Sequence, residues 1–248
     1  MKKKIIVLGA TGSIGQSTLN IAEKCNDKFQ VVGVSANLDK KKLSEICKKF
    51  GPKNILFTDK NVQNNLQKSE FNEDAKFFFG NDLYQEFFDI DFDLVVNGIS
   101  GFAGIRPTFV VVEKGKDIAI ANKETIVSGG KLIIEKSIST GSKIIPIDSE
   151  HNALFQLMKN YELHEIDKIT LTASGGPFRR DTYKELSNRK YSEALKHPTW
   201  NMGTKNTIDS ASLMNKGLEV IEASVLFSLP SNKISVLVHP ESIIHGIV

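Results

Sequence analysis

The stretch IIVLGATGSIGQSTL, residues 5–19, decides the fold. It begins as a short apolar run rich in β-branched residues and ends as the opening of a helix, with Gly9, Gly12 and Gly15 at the turn between them. Such a turn lets backbone N–H groups and a helix N-terminus approach a pyrophosphate. The spacing is G-x-x-G-x-x-G, so the literal G-x-G-x-x-G fingerprint is missed, and a tight turn that holds nothing is the competing explanation. Strand, loop and helix in this order, at the head of an alternating pattern, favour a nucleotide.

The pattern continues outward from that turn. Strand-length apolar runs recur at 31–34, 54–57, 93–97, 117–121 and 143–147, and helix-like segments at 16–24, 41–50, 105–113 and 130–139 separate most of them. Alternation of this kind predicts βαβ units and a parallel sheet covered on both faces. The segment 60–88, rich in Asn and Phe, has no comparable period. After Pro146 the texture changes: a helix over 152–160 and a strand over 166–173 lead into a polar stretch, 174–205, that holds the only tryptophan, Trp200. Loops so long are often lids. A helix over about 211–227 follows, with Met214, Leu218, Ile221 and Val225 on one apolar stripe. Two strand-like runs, ISVLV and IIHGIV, end the sequence inside apolar residues, and the expectation is a truncated chain.

The 248 residues are 40% hydrophobic and 25% charged, ordinary values for a soluble globular protein of one large or two smaller domains. A formal charge of +3 gives no nucleic-acid footprint. Cys25 and Cys47 lack metal or redox spacing and read as reduced thiols of a cytoplasmic protein. No apolar run nears the roughly 20 residues of a membrane span, and the immediate first strand argues against a targeting peptide.

Two further sites carry chemistry. The second strand ends Ser35-Ala36-Asn37, without the acid that would accept a ribose 2′-hydroxyl, and Lys40–Lys42 follow Asp39; this favours NADP over NAD. In IIPIDSEHNALFQ, residues 144–156, Asp148 and Glu150 sit between a strand and a helix. They are either capping acids, worth about 1 kcal/mol, or ligands. Ser212, Asn215, Lys216 and Glu219 cluster on the polar face of the 211–227 helix, and three carboxylates without a His/Cys cluster suit Mg2+ or Mn2+. ANKET at 121–125 places Asn122, Lys123 and Glu124 on the cofactor edge or simply starts a helix. His197 and His245, each near a Pro or Gly, are weaker candidates.

Taken together, GATGSIGQSTL, ANKE, IPIDSEHNALFQ, LTASGGPFR, HPTWNMGTKNTIDSASLMNKGLEVIEA and HPESIIHG resemble the motif series of the 1-deoxy-D-xylulose 5-phosphate reductoisomerase family, in order along the whole chain. The resemblance implies a Rossmann-like, doubly wound NADPH-binding domain over 1–147 and an α+β catalytic and metal-binding domain over 148–248, with a flexible loop at about 174–204 and a C-terminal helical domain lacking. It implies NADPH- and Mg2+- or Mn2+-dependent conversion of a small phosphorylated sugar, 1-deoxy-D-xylulose 5-phosphate, to 2-C-methyl-D-erythritol 4-phosphate in non-mevalonate isoprenoid synthesis, by a homodimer.

By the same resemblance, Thr11, Gly12, Ser13, Ile14, Ala36, Asn37, Asn122, Glu124 and Gly203 would contact the cofactor. Asp148, Glu150 and Glu219 would hold the metal. Lys123, Ser149, Ser174, His197, Ser210, Asn215 and Lys216 would bind substrate, and Trp200 and Met202 would lie on the closing loop. Two departures stand out: Gly9-Ala10-Thr11 replaces Gly-Ser-Thr, and SAN is shorter than the AGKN-like form. The alternatives are another NADP-dependent oxidoreductase, such as an aspartate-semialdehyde dehydrogenase with a nucleophilic cysteine, and a truncated cofactor-binding fragment without activity.

Overall fold

The computed structural model describes residues 1–196 and 203–248, apart from the side chain of Asn206. The chain divides into two compact units, Met1–Ile145 and Pro146–Val248.

The first unit alternates as the apolar runs predict. Its elements are β1 (Lys3–Leu8), α1 (Ser13–Lys24), β2 (Phe29–Ala36), α2 (Lys40–Phe50), β3 (Asn54–Phe57), β4 (Lys76–Phe79), α3 (Tyr84–Phe87), β5 (Leu94–Asn97), α4 (Ile105–Glu113), β6 (Asp117–Ile120) and α5 (Lys123–Thr140). A further strand, β7 (Ile144–Pro146), joins the sheet edge, and the order among the described residues is β4-β3-β2-β1-β5-β6-β7. The pairings from β4 across to β6 are parallel. The chain runs outward from β1 in both directions, so strand order reverses between β1 and β5, the position where open sheets of this kind bind ligands. The glycine turn leaves β1 at that point.

Close packing explains why the turn is glycine-rich. A Cβ on Gly15 would lie 2.4 Å from the Gly9 carbonyl oxygen and 2.6 Å from Ala10 Cα, so α1 can approach β1 only with hydrogen at position 15. The segment without a clear period, 60–88, yields β4. Its Phe77 and Phe79 stack into a ring cluster with Phe57 and Phe71, while Phe78 points the other way onto Phe87 at 5.5 Å, the alternation of a strand.

The second unit comprises α6 (Ser149–Met158), β8 (Ile169–Ala173), α7 (Tyr183–Leu186), α8 (Tyr191–Ala194), α9 (Thr204–Ala211), α10 (Met214–Leu226), β9 (Ile234–Val238) and β10 (Gly246–Ile247). β8 lies between β10, antiparallel, and β9, parallel. Leu154, Met158, Ile169, Leu171, Ala223 and Phe227 form its core.

Three expectations need correction. The helix expected from about 211 begins only at Met214: Leu213 takes a left-handed φ of 61° and separates α10 from α9, whose last residue is Ala211. The stripe of Met214, Leu218, Ile221 and Val225 is not the buried face, since Met214 is 53% and Ile221 46% exposed. The buried residues of α10 are Ala223, in the apolar core, and Lys216, Glu219 and Glu222, whose polar groups meet partners inside the unit. The polar stretch from 174 is also less irregular than expected. It contains α7 and α8, held by Arg189, which reaches Asp181 at 2.6 and 3.0 Å and Glu193 at 2.9 Å.

Gly15→Ala forces α1 off β1 against backbone, and overpacking of that kind costs about 1–3 kcal/mol. The expected result is a lower urea midpoint for the first unit, read by a fluorescent probe attached there, with the second unit unchanged.

Candidate active site

At the carboxyl edge of the first unit's sheet, Gly12 is the N-cap of α1 without a side chain to satisfy the first N–H groups, and Thr11 and Ser13 flank it on the surface. That leaves the α1 N-terminus to an outside acceptor. Ile14 packs beside the backbone of Gly98, in the loop after β5. The Lys42 ammonium donates to the Thr11 carbonyl at 2.7 Å and ties α2 to the loop. Asp39 accepts from the Lys42 N–H at 3.0 Å, so this acid caps α2. Ala36 is buried at the end of β2, and exposed Asn37 accepts from the Thr58 hydroxyl at 2.9 Å.

Asn122 is buried and structural in its visible bonds. Its Oδ1 accepts from Thr125 N–H at 3.1 Å, capping α5, and its Nδ2 donates to the carbonyls of Ile99 at 2.5 Å and Gly101 at 2.6 Å. Lys123, buried, and Glu124 open the same helix. The reading of ANKET as a helix start is therefore correct as far as backbone goes. Sequence reasoning missed Asn97, which ends β5 fully buried: its amide donates to the Gly104 carbonyl and Thr108 hydroxyl, and it accepts from Ile99 N–H. An asparagine closing the apolar run DLVVN was the available signal.

In the second unit the metal candidates converge. Single carboxylate oxygens of Asp148, Glu150 and Glu219 all lie within 4.8 Å of one another. Oxygens around one Mg2+ are at most about 4.2 Å apart, at about 2.1 Å from the ion, so small side-chain adjustments suffice. Asp148 caps α6, accepting from Ser149 N–H at 3.0 Å, and the Ser149 hydroxyl donates to Glu150 at 2.6 Å. Capping and clustering are thus compatible roles for the same acid.

Positive charge is built into the cluster. The ammonium of Lys216, a residue 5% exposed, reaches Glu150 Oε1 at 3.3 Å and bonds Glu219 Oε2. Asn215 donates to the other Glu219 oxygen at 2.5 Å. Counted as ionised, three carboxylates against one ammonium leave a formal charge of −2, and an all-oxygen donor set of this charge fits a hard divalent cation.

The remaining candidates divide. Ser174 leads into Gly175 and Gly176, and its hydroxyl accepts from Gly176 N–H at 3.4 Å. Gly176 has φ +69°, and a Cβ there would lie 2.4 Å from the Ser210 carbonyl oxygen, so this turn and Ser210 are in contact. Gly203 is the exposed N-cap of α9. His197, Trp200 and Met202 lie outside the described residues. His245 offers its carbonyl to Thr172 N–H. Cys25 and Cys47 both belong to the first unit, and burial pushes the Cys47 thiol up to about 12, the wrong direction for a nucleophile.

A doubly wound parallel sheet with a glycine turn at its switch point, joined to a unit bearing a cluster of carboxylates, defines a Rossmann-like α/β protein of the dinucleotide-binding class. Family models narrow this: that of 1-deoxy-D-xylulose 5-phosphate reductoisomerase matches residues 5–130, and that of the same enzyme's C-terminal domain matches residues 144–227. The chain belongs to the 1-deoxy-D-xylulose 5-phosphate reductoisomerase family. The reductoisomerase of Clostridium kluyveri is 47% identical over 249 residues, 99% of this chain and 65% of that protein. A crystal structure of DOX-P reductoisomerase with NADPH, fosmidomycin and magnesium superposes with a TM-score of 0.90 at 36% identity, covering 98% of this chain and 63% of the other. The Zymomonas mobilis enzyme with NADPH gives 0.89 at 38% identity, over 99% and 64%. The chain thus spans just under two thirds of the length of these relatives.

Lys216→Met strips the cluster of its ammonium and buries uncompensated charge. Breaking such a pair costs about 3–5 kcal/mol, so without divalent metal the thermal midpoint of the second unit should fall by roughly 12 °C or more. Millimolar Mg2+ should restore more of it than it adds to the wild type, as differential scanning calorimetry would show.

Proposed function

We propose that the chain carries the reductoisomerase reaction of its family: NADPH- and divalent-cation-dependent isomerisation and reduction of 1-deoxy-D-xylulose 5-phosphate to 2-C-methyl-D-erythritol 4-phosphate, in non-mevalonate isoprenoid synthesis. The convergence of Asp148, Glu150 and Glu219 is the observation that carries this reading. Residues 1–147 hold NADPH, and residues 148–248 hold the cation and the phosphosugar, with about 174–204 closing over them. NADPH rather than NADH is supported by Asp39, whose carboxylate is committed to capping α2, and by Lys42 at the Thr11 carbonyl.

The bound cation, Mg2+ or Mn2+, would act as a Lewis acid on the ketone and neighbouring hydroxyl oxygens of the sugar. The chain's own residues do the rest. The uncapped N-terminus of α1 and the backbone of Thr11–Ile14 offer N–H groups to the pyrophosphate. Ala36, Asn37, Asn122, Glu124 and Gly203 complete the cofactor contacts. Ser149, Ser174, His197, Ser210, Asn215 and Lys216, with Lys123, grip the substrate. Phosphate binding far from the reacting carbons supplies energy for orientation and loop closure, with Trp200 and Met202 on the loop. No helix among the described residues is long and apolar enough to cross a membrane, and a cytoplasmic homodimer is the assembly proposed. Exposed Val236, Leu237 and Val238 on β9 offer apolar surface to a second copy.

A second reading, a cofactor-binding fragment without turnover, is favoured by one observation: the chain spans 65% of its Clostridium kluyveri relative. The decisive assay follows NADPH absorbance. Oxidation is expected only when 1-deoxy-D-xylulose 5-phosphate and Mg2+ or Mn2+ are both present, and NADPH binding without turnover would select the fragment reading. Glu219→Gln at saturating metal should lower turnover about 100-fold, some 2.7 kcal/mol; undiminished activity would remove the three-carboxylate site. Alkylating Cys25 should leave turnover intact, whereas its loss would favour a thiol-dependent dehydrogenase.

A further inference from the structure

Asp148 also lies within 4.8 Å of a second buried pair. His151 and Glu222 are 0% and 1% exposed, one on α6 and the other on α10. Each stands three residues beyond a member of the carboxylate cluster, Asp148 and Glu219 respectively, and so lies one helical turn along the same face. His151 Nε2 is 3.0 Å from the backbone carbonyl of Glu219 itself, and His151 Nδ1 is 3.3 Å from Glu222 Oε2. The imidazole also stacks on Phe227, with ring centroids 6.4 Å apart and planes inclined by 28°.

The Nε2 contact fixes one proton. A backbone carbonyl only accepts, so Nε2 must carry the proton and donate it to Glu219. Nδ1 lies 3.3 Å from a Glu222 oxygen, a contact that needs a proton between the two atoms, and with that proton it holds the ring in the plane that the Nε2 bond requires. Groups of this kind are expensive to bury and are retained where they fix geometry. Here the geometry concerns a backbone position: residue 219 must sit at one height along α6 for its side chain to meet Asp148 and Glu150.

We propose that His151, oriented by Glu222, is a positioning residue for the metal centre: its Nε2–H bond to the Glu219 carbonyl sets the register of α10 against α6 and so brings the third carboxylate to the cation. This inference rests on the metal-site reading above. It assigns His151 and Glu222 no contact with the cation or the substrate.

The test is direct measurement of Mn2+ binding to the full chain by electron paramagnetic resonance of the free ion, alongside thermal unfolding. His151→Gln reproduces the Nε2 donor and should bind Mn2+ within about threefold of wild type. His151→Asn places its amide where Nδ1 lies, cannot reach the carbonyl, and should bind about tenfold more weakly, the usual effect of losing a group that orients a ligand. The double variant His151→Phe with Glu222→Leu keeps the volume and removes both polar partners together, a change often neutral for stability. It should melt near the wild type yet also bind about tenfold more weakly, whereas a merely space-filling role predicts no loss. The inference alone is overturned if wild type binds Mn2+ and both the Asn and double variants bind it equally well. Absence of Mn2+ binding by the wild type would overturn the metal reading and this inference with it.

Discussion

Three carboxylates within 4.8 Å of one another, one of them on a residue 1% exposed, repel strongly in a medium that screens poorly. Their coexistence requires positive charge among them, and Lys216 provides it from within. Much of the second unit follows from this requirement. α6 must start with Asp148 and Glu150 at its N-terminus, where the helix dipole already favours anions. α10 must turn a charged face inward, which it can do only because each charge there meets a partner. The break at Leu213, with its uncommon positive φ, lets α9 and α10 take separate directions.

The dinucleotide half was legible because its determinants are local. A strand, a glycine turn and a helix follow one another within fifteen residues, and alternation of apolar runs then dictates a parallel sheet. Even so, β4 escaped the reading. Phe77, Phe78 and Phe79 are apolar on both faces of a short strand, so no period-2 contrast separates them from a buried helix segment. Asn97 escaped for a different cause. Its importance lies in bonds to Gly104 and Thr108, which depend on where α4 begins and on no nearby motif.

The second half misled where amphipathicity was taken at face value. Apolar residues at helical spacing predict a buried stripe, yet on α10 the stripe that is buried holds Lys216, Glu219 and Glu222. Hydrophobic patterning assumes that burying charge is costlier than exposing Met214 and Ile221. That assumption fails where charges are mutually compensated, which is a mark of functional clusters. The motifs quoted from residues 144–156 and 197–223 were therefore more informative than periodicity. Motif residues report chemistry directly, while periodicity reports it only through burial.

The same contacts make the carboxylates and the cationic and amide groups beside them interdependent. Glu219 presents two oxygens; Asn215 donates to one and Lys216 to the other. A cation that takes either oxygen must share or displace one of these donors, and a donor so released is free to meet another anion. A phosphate drawing Lys216 away would in turn expose the carboxylates' charge to a cation. Because binding free energies around such a cycle must close, each ligand alters the other's affinity by the same factor. The acidic cluster and the cationic and amide groups beside it are therefore one electrostatic unit, and removing any member changes what the others can hold.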